Sequence, residues 1–562
     1  MTIEIIQPVS PEFSISLAGP QGPAGPAGIQ GVPGAAGSNG TNGANGAQWL
    51  NGTSNPTSGQ GVVGDWFINT VSQDIYKKTN STTWTLQANI KGATGLTGAA
   101  GTNGTNGTNG INAAGFNANA ASFIAETPFF IAHRGSGEVY PEHTMEAYAS
   151  SIAAGAKAIE ISVSRTADGV LVCHHDLDTL RMTGKTGTIA SKPYSSLRQG
   201  NLVDGRPFLG PNWDLLRIPT LREVLDRFGG KVVMFIEPKD SSAACVNETI
   251  AMIVEFGLQS SVIWKEYQAL NYVKAHAANL KVWGYLQDAA SEASIDLVAG
   301  KSDYLGVNVG NTDAFFTSVI SRGKPVISWP LTRRSEVTRL QALGVVGMMC
   351  SGWSYLTKSA PIHSVDNFNL GVKVPGEISW SPSDASQQPG WNLTNGSRAF
   401  AGGAGQSLCL GDFCPITATT YSISFDMMYE TIPSDTTAHH AGIVFGKVDD
   451  QKYQFNTANP TPGYHFVFRP NGSMQLYTHS AGVTSGTSLN SVTNAVAVAG
   501  EWASFKIDVT PTQITVTRTD ASVGGTKTFT VTNNAHRGGY IHLSKHAATA
   551  ANTVHYRNVT VV

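Results

Sequence analysis

The spacing of apolar residues changes several times along the chain, and each change predicts a different architecture. Residues 1–18 mix apolar and polar positions without a repeat. From Gly19 to Gly46 glycine falls at every third position, ten times, with prolines between. Only glycine fits the crowded axis of three wound polyproline-type chains, so residues 19–46 predict a collagen-like triple helix, and with it a homotrimer. A flexible low-complexity linker is the competing reading. A second run, residues 92–110, has seven such glycines and no proline. Between the runs, residues 47–91 hold short alternating strands (DWFIN, DIYKK, TWTLQ) separated by turn residues. This small β module is too short for its own core, and trimerisation would supply one.

In residues 123–360 apolar strand-like runs alternate with helical periods. The runs are FFIAH, AIEIS, VLVCHH, VVMFIE, SVIW, KVWGY, YLGVN, PVISW and VVGMM. Helical stretches lie between most of them, such as TMEAYASSIAAGA, with Thr144 as N-cap and Gly155 as terminator. Repeated strand–helix units predict an α/β barrel of the TIM type. Nine runs for an eight-stranded barrel mean that one is extra or that the barrel is irregular. From 365 to 562 the helical period vanishes. Short strands follow one another with Gly, Asn and Pro turns, which predicts an antiparallel β-sandwich. The fold class is therefore multi-domain: stalk segments, small β module, barrel, sandwich.

Composition narrows the classes of function. The 562 residues exceed one hydrophobic core. A formal net charge of −2 offers no broad attraction for nucleic acid or an anionic membrane. No run of about 20 apolar residues is present to span a bilayer. The N-terminus, MTIEIIQPVSPEF, lacks the basic-then-apolar pattern of a secretory signal. Cys173, Cys245 and Cys350 read as buried thiols. Cys409 and Cys414 flank LGDF, a spacing compatible with a small disulfide.

Barrel active sites form at the C-terminal ends of the strands. There the chain offers His133 and Arg134, then Glu160, then His174, His175 and Asp176, then Glu237 and Lys239. Strand alternation puts Glu160 with Ser162 on one face, and Glu237 with Lys239 on one face. These types suit phosphodiester cleavage. Two histidines act as base and acid near neutral pH. Two carboxylates hold a hard divalent cation. Arg134 and Lys239 clamp phosphate charge. Each residue alone has a structural reading as a hydrogen-bonded strand end; six together in one barrel point to a site.

The stretch AHRGSGEVYPEHTMEAYASSIAAGAKAIEISVSRTADGVLVCHHDLDTLRMTGKTG resembles the opening of the glycerophosphodiester phosphodiesterase family, whose pattern runs HRG, PEN-T, I-E-x-D, T-x-D-G, HD and R-x-T. IPTLREVLDRFGGKVVMFIEPKD continues it with IPTL and an E-x-K strand, and SWPLTRRSEVTRLQALGVVGMM ends it, so the likeness covers residues 128 to about 355. The resemblance implies that His133 and His175 are the general acid/base pair. It implies Arg134 and Lys239 as phosphate contacts, Glu160 and Glu237 as ligands of a divalent metal, Glu142 as a supporting group, and Trp329 in the substrate pocket. His174 takes no family role and reads as structural.

Three departures stand out. Ser162 replaces the Asp of E-x-D, His143 replaces the Asn of PEN, and the last strand ends in Cys350-Ser351-Gly352 in place of an acid. With Ser162, a water completes the coordination of Ca²⁺ or Mg²⁺, or His143 recruits a softer Zn²⁺, or the site is impaired. The flanks resemble bacteriophage tail-fibre proteins, and the C-terminal region resembles concanavalin-like glycan-binding sandwiches, ordinary core being the other reading of its aromatics. The expectation is a trimeric virion tail-fibre or tail-tip protein. Residues 1–18 would attach it to the tail. The barrel would cut glycerol-phosphate diesters of a host envelope polymer such as teichoic acid, and the sandwich would grip glycan. The rivals are a degenerate barrel that binds such polymers without cutting, and a cellular surface phosphodiesterase on a collagen-like stalk.

Overall fold

The computed structural model describes residues 47–89, 118–373, 377–379, 393–394, 396–400, 406–453, 458–520, 526–546 and 552–562. The segment 1–18 and both glycine-repeat runs, with the triple helix expected there, lie outside the described residues.

Residues 47–89 form a four-stranded sheet whose strands are Trp49–Gly52, Trp66–Asn69, Asp74–Lys78 and Trp84–Asn89. The first pair is parallel and the rest antiparallel. Phe67 is the one buried apolar side chain among them, as expected of a module too small for a core. Polar contacts do the holding. Asp65 accepts from the Gln48 and Val62 amides, and the buried Lys78 donates to the Ser58 and Gly61 carbonyls.

The barrel closes through eight parallel strands: Phe129–Ala132, Ala158–Arg165, Val233–Pro238, Val262–Tyr267, Lys281–Tyr285, Tyr304–Asn308, Val326–Leu331 and Gly347–Cys350. The last pairs with the first, with Gly347 opposite Phe129. The extra ninth run is Leu171–Cys173, which turns back antiparallel on the second strand outside the closed circle. It and three short helices between 180 and 209 pack a small separate cluster around Val172, Met182, Leu197 and Ile218. Thr144 caps the helix Met145–Ala153 by accepting from the Ala147 amide, and Gly155 follows with φ +108°, as the pattern predicts.

A short helix, Ala120–Ala125, seals the N-terminal end of the barrel. The Ala118 and Ala120 amides bond the carbonyls of Gly230 and Ser260, just before the third and fourth strands. Phe123 then inserts against Phe129 and Phe235. Inward residues alternate along every strand, so this apolar layer (Phe129, Ile131, Phe235, Ile263, Trp283, Ile327, Met349) fixes which later residues face the opposite mouth.

Residues 377–561 contribute two seven-stranded sheets with antiparallel pairing. Strict alternation in Trp502–Val509 buries Ala503, Phe505, Ile507 and Val509 between them. Cys409 and Cys414 are buried free thiols, so the small disulfide does not form; Cys414 donates to the Leu410 carbonyl. Sandwich and barrel share one apolar cluster. The buried Asp450 joins them by accepting from Tyr355 Oη at 2.7 Å and from the amides of Arg334 and Ser335. Among the described residues no helix is long and apolar enough to cross a membrane.

Candidate active site

The apolar layer sets the phase of each strand, and two residues further on the chemistry appears. Glu160 and Ser162 follow Ala158, Glu237 follows Phe235, Lys265 follows Ile263, Tyr285 follows Trp283, and Trp329 follows Ile327. Register aligns them across the mouth: Phe235 lies opposite Glu160 and Ile263, Glu237 opposite Ser162, and Lys265 opposite Trp283.

His133 and Arg134 leave the first strand in a tight turn. Arg134 has φ +55°, a left-handed conformation that costs a residue with a Cβ about 1 kcal/mol or more. Gly135 follows at φ +75°, where a Cβ would lie 2.9 Å from that of Ala147. The turn is held by the Arg134 amide, which donates to Glu160 Oε2 at 3.0 Å, and by the His143 amide on the Arg134 carbonyl. It aims the buried His133 ring at Ser351, Nδ1 to Oγ 3.1 Å. Ser351 thus uses the position where the resemblance implies an acid.

Arg134 is buried. Its guanidinium spans both oxygens of Glu142 at 3.3 and 3.2 Å, while its Nε has no hydrogen-bond partner. Glu142 also accepts from Arg181, whose Nε donates to Asp176 at 2.7 Å, and Asp176 Oδ1 holds His175 Nδ1 at 2.7 Å. Arg134, Glu142, Arg181, Asp176 and His175 form one ionic chain around the rim. Burial alone would raise the Glu142 carboxyl, but Arg134 and Arg181 outweigh it and hold it well below its usual range.

Both candidate acid/base groups are neutral at rest. Burial, then Arg134, pushes His133 well below its usual value. The same two causes lower His175 to about 4, and its ring stays 22% exposed at the mouth. Burial lowers His143 to about 3; its Nδ1 bonds Tyr148 Oη at 2.7 Å and its Nε2 is unpartnered. His174 is tied to the Asp176 carbonyl through Nδ1, and its Nε2 is buried without a partner. Trp329 is half-buried against Tyr285, ring centres 5.0 Å apart.

Glu160 and Glu237 come together, but around a cation of the chain itself. Lys265 Nζ lies 2.9 Å from Glu160 Oε1 and 2.6 Å from Glu237 Oε2, the second an ion pair outside hydrogen-bond angles. Glu237 Oε1 accepts from Lys239 at 2.7 Å and Tyr285 at 2.5 Å. Ser162 Oγ reaches only Glu160, at 3.4 Å. No group of three or more His, Cys, Asp or Glu able to hold a metal occurs among the described residues, and His143 joins none. The donor set present therefore does not fit the divalent ion implied for Glu160 and Glu237. Burial would raise the Glu160 carboxyl, yet the Lys265 ammonium outweighs it and holds it well below its usual range.

Sequence reasoning missed Lys265 and Tyr285 as members of the site, named Asp176 at its strand end without giving it a role, and took Ser351 only as a departure from the family ending. The signal for Lys265 was its spacing of two from Ile263; the run SVIW stops one residue short of it, whereas the strand continues to Tyr267. Arg181 was visible only as the R of R-x-T.

Residues 133–350 match the Glycerophosphoryl diester phosphodiesterase family. A glycerophosphodiester phosphodiesterase of Bacillus subtilis is 26% identical over 245 residues, 39% of this chain and 81% of the relative. One from Caldanaerobacter subterraneus is 27% identical over 235 residues, 39% of this chain and 92% of the relative. Among solved structures, an Oleispira antarctica phosphodiesterase in complex with the product sn-glycerol-3-phosphate is 22% identical, covering 41% of this chain and 96% of that one with a TM-score of 0.35. The barrel carries a domain of this family.

Proposed function

We propose that the barrel hydrolyses phosphodiesters with a glycerol arm, using His133 and His175 as the acid/base pair. The observation that carries this reading is the charge balance of the mouth. Four carboxylates, Glu142, Glu160, Asp176 and Glu237, face four cations, Arg134, Arg181, Lys239 and Lys265, with both imidazoles neutral. An incoming phosphodiester brings one further negative charge. Arg134, which bears on both imidazoles, and Lys239 receive it, and the added charge raises the affinity of the histidines for a proton. One imidazole then takes up the proton that the leaving oxygen needs, while the other stays neutral and accepts a proton from the attacking hydroxyl. A neighbouring glycerol hydroxyl suffices as nucleophile, giving a cyclic phosphate that water opens with the two roles exchanged. Ser351 and Asp176 fix which imidazole nitrogen stays free, by holding Nδ1 of His133 and of His175.

The whole chain we read as a trimeric virion tail-fibre or tail-tip protein acting at the host cell surface on a polymer such as teichoic acid. Unbroken Gly-X-Y phasing and the C-terminal sandwich support this, since three barrels and three weak glycan contacts raise effective concentration along a repeating chain. Purified poly(glycerol phosphate) teichoic acid should be cut faster than monomeric glycerophosphocholine, and mass photometry should give three chains per particle. Equal binding to cells stripped of teichoic acid, with no polymer cleavage, would contradict the polymer reading. A monomer would contradict the trimer.

A further inference from the structure

All four carboxylate oxygens of Glu160 and Glu237 already have a cationic or hydrogen-bonding partner from this chain. Glu160 Oε2 takes the Arg134 amide, and Glu160 Oε1 takes Lys265 with Ser162 behind it. Glu237 Oε1 takes Lys239 and Tyr285, and Glu237 Oε2 faces Lys265. A hard divalent ion bridging two such oxygens sits about 2.0–2.6 Å from each. Lys265 Nζ, at 2.9 and 2.6 Å, stands in that place. Two like charges sharing it would repel strongly in so buried a site.

The ammonium has no route out. Its stem leaves the fourth strand on the inward face set by Ile263, and its side chain is 3% exposed. The rings of Trp283 and Tyr285 wall it in, each centre 5.5 Å from Nζ. Two carboxylates at 2.9 and 2.6 Å pair it as an ammonium. Replacing an Asp by Ser162 removes the third hard ligand on the same wall, in step with a cation that needs two.

We propose that Lys265 is a resident cation in place of a divalent metal, and that this phosphodiester site binds and works without one. The ammonium donates to Glu160 and pairs with Glu237 by charge, and it adds a third cation to Arg134 and Lys239 for a phosphoryl group. This rests on the phosphodiesterase reading for its catalytic half only, because metal binding is measured separately.

Calorimetry of the full chain with Mg²⁺, Ca²⁺ and Zn²⁺ alone should give no binding at this site, whereas Ser162→Asp/Lys265→Ala should gain it. Turnover of glycerophosphocholine by the unaltered protein should be unchanged within twofold by EDTA, and Lys265→Ala should lower it by about 10²-fold, the scale of losing one aimed electrostatic donor. Micromolar binding of any of the three ions by the unaltered chain, lost on Glu160→Gln, would overturn the inference whatever the activity. So would a rate abolished by EDTA and restored by metal, a test that needs no variant to fold. No turnover under any condition, with no ion bound, supports the resident cation and counts against the phosphodiesterase reading.

Discussion

At its N-terminal end the barrel is filled by Phe123, Phe129, Phe235 and Trp283; at its C-terminal end the barrel strands lead to His133, Glu160, Glu237 and Lys265. Every one of these eight residues is buried. The first group contributes stability through area removed from water and close ring contacts. The second takes charges out of water, and offsets that cost only through mutual pairing. Moving two residues along a strand thus exchanges a stabilising layer for a reactive one. The same alternation that packs the lower layer aims the upper one, so the apolar end acts as the jig for the ionic end.

The sharpest way to break this contrast is at the plug. Phe123→Ala leaves a cavity against Phe129 and Phe235 and should cost about 3–5 kcal/mol in denaturant unfolding, with kcat within twofold of the unaltered protein. A large loss of kcat without loss of stability would mean the two ends do not divide their tasks. His133→Ala should do the reverse. Turnover should fall by roughly 10²-fold or more, about 2.7 kcal/mol of barrier, while the unfolding midpoint moves little.

Arg134→Lys comes next, at about 10-fold in turnover. A compact ammonium on a shorter reach replaces the guanidinium whose Nη1 meets both oxygens of Glu142 and whose Nε is left for substrate, and a charged residue with a left-handed backbone remains. A shift of similar size in KM alone would assign Arg134 to binding and not to the reacting step.

The smallest effect is a displacement on the pH axis. In the free protein His175 titrates near 4 because burial and Arg134 disfavour its charged form. A bound phosphodiester anion raises that value, so the alkaline limb of kcat should lie above that of kcat/KM, by about one unit for a single nearby charge. Coincident limbs would remove the charge-balance argument. Stability carries the matching sign. A histidine whose folded value is lowered supports the fold above about 6.5 and withdraws support as pH falls towards its folded value. For His175 and His143 the window is 6.5 down to about 4 and about 3, and the midpoint of unfolding should fall across it.

Much of this contrast is visible in the chain before folding. FFIAH and VVMFIE carry the apolar layer and the polar end in one run, so period-two alternation alone places His133 and Glu237. Thr144 and Gly155 bound their helix through local chemistry that does not depend on distant contacts. The failures are all non-local. VLVCHH has the composition of a barrel strand, and only its antiparallel pairing with the second strand excludes it from the circle. Lys265 ends a run with no motif around it, and becomes part of the site only when closure brings the fourth strand beside Glu160 and Glu237. Cys409 and Cys414 are close in sequence, yet pack as separate buried thiols.

Conversion of diester to monoester phosphorus tests the central claim most directly. Phosphorus NMR of glycerophosphocholine incubated with the full-length chain should show the diester resonance replaced by that of a glycerol phosphate monoester, and His133→Ala and His175→Ala should each leave the diester essentially intact over the same time. An unchanged diester with the unaltered chain, with or without added divalent ions, would contradict the account, as would conversion by both histidine variants at the rate of the unaltered chain.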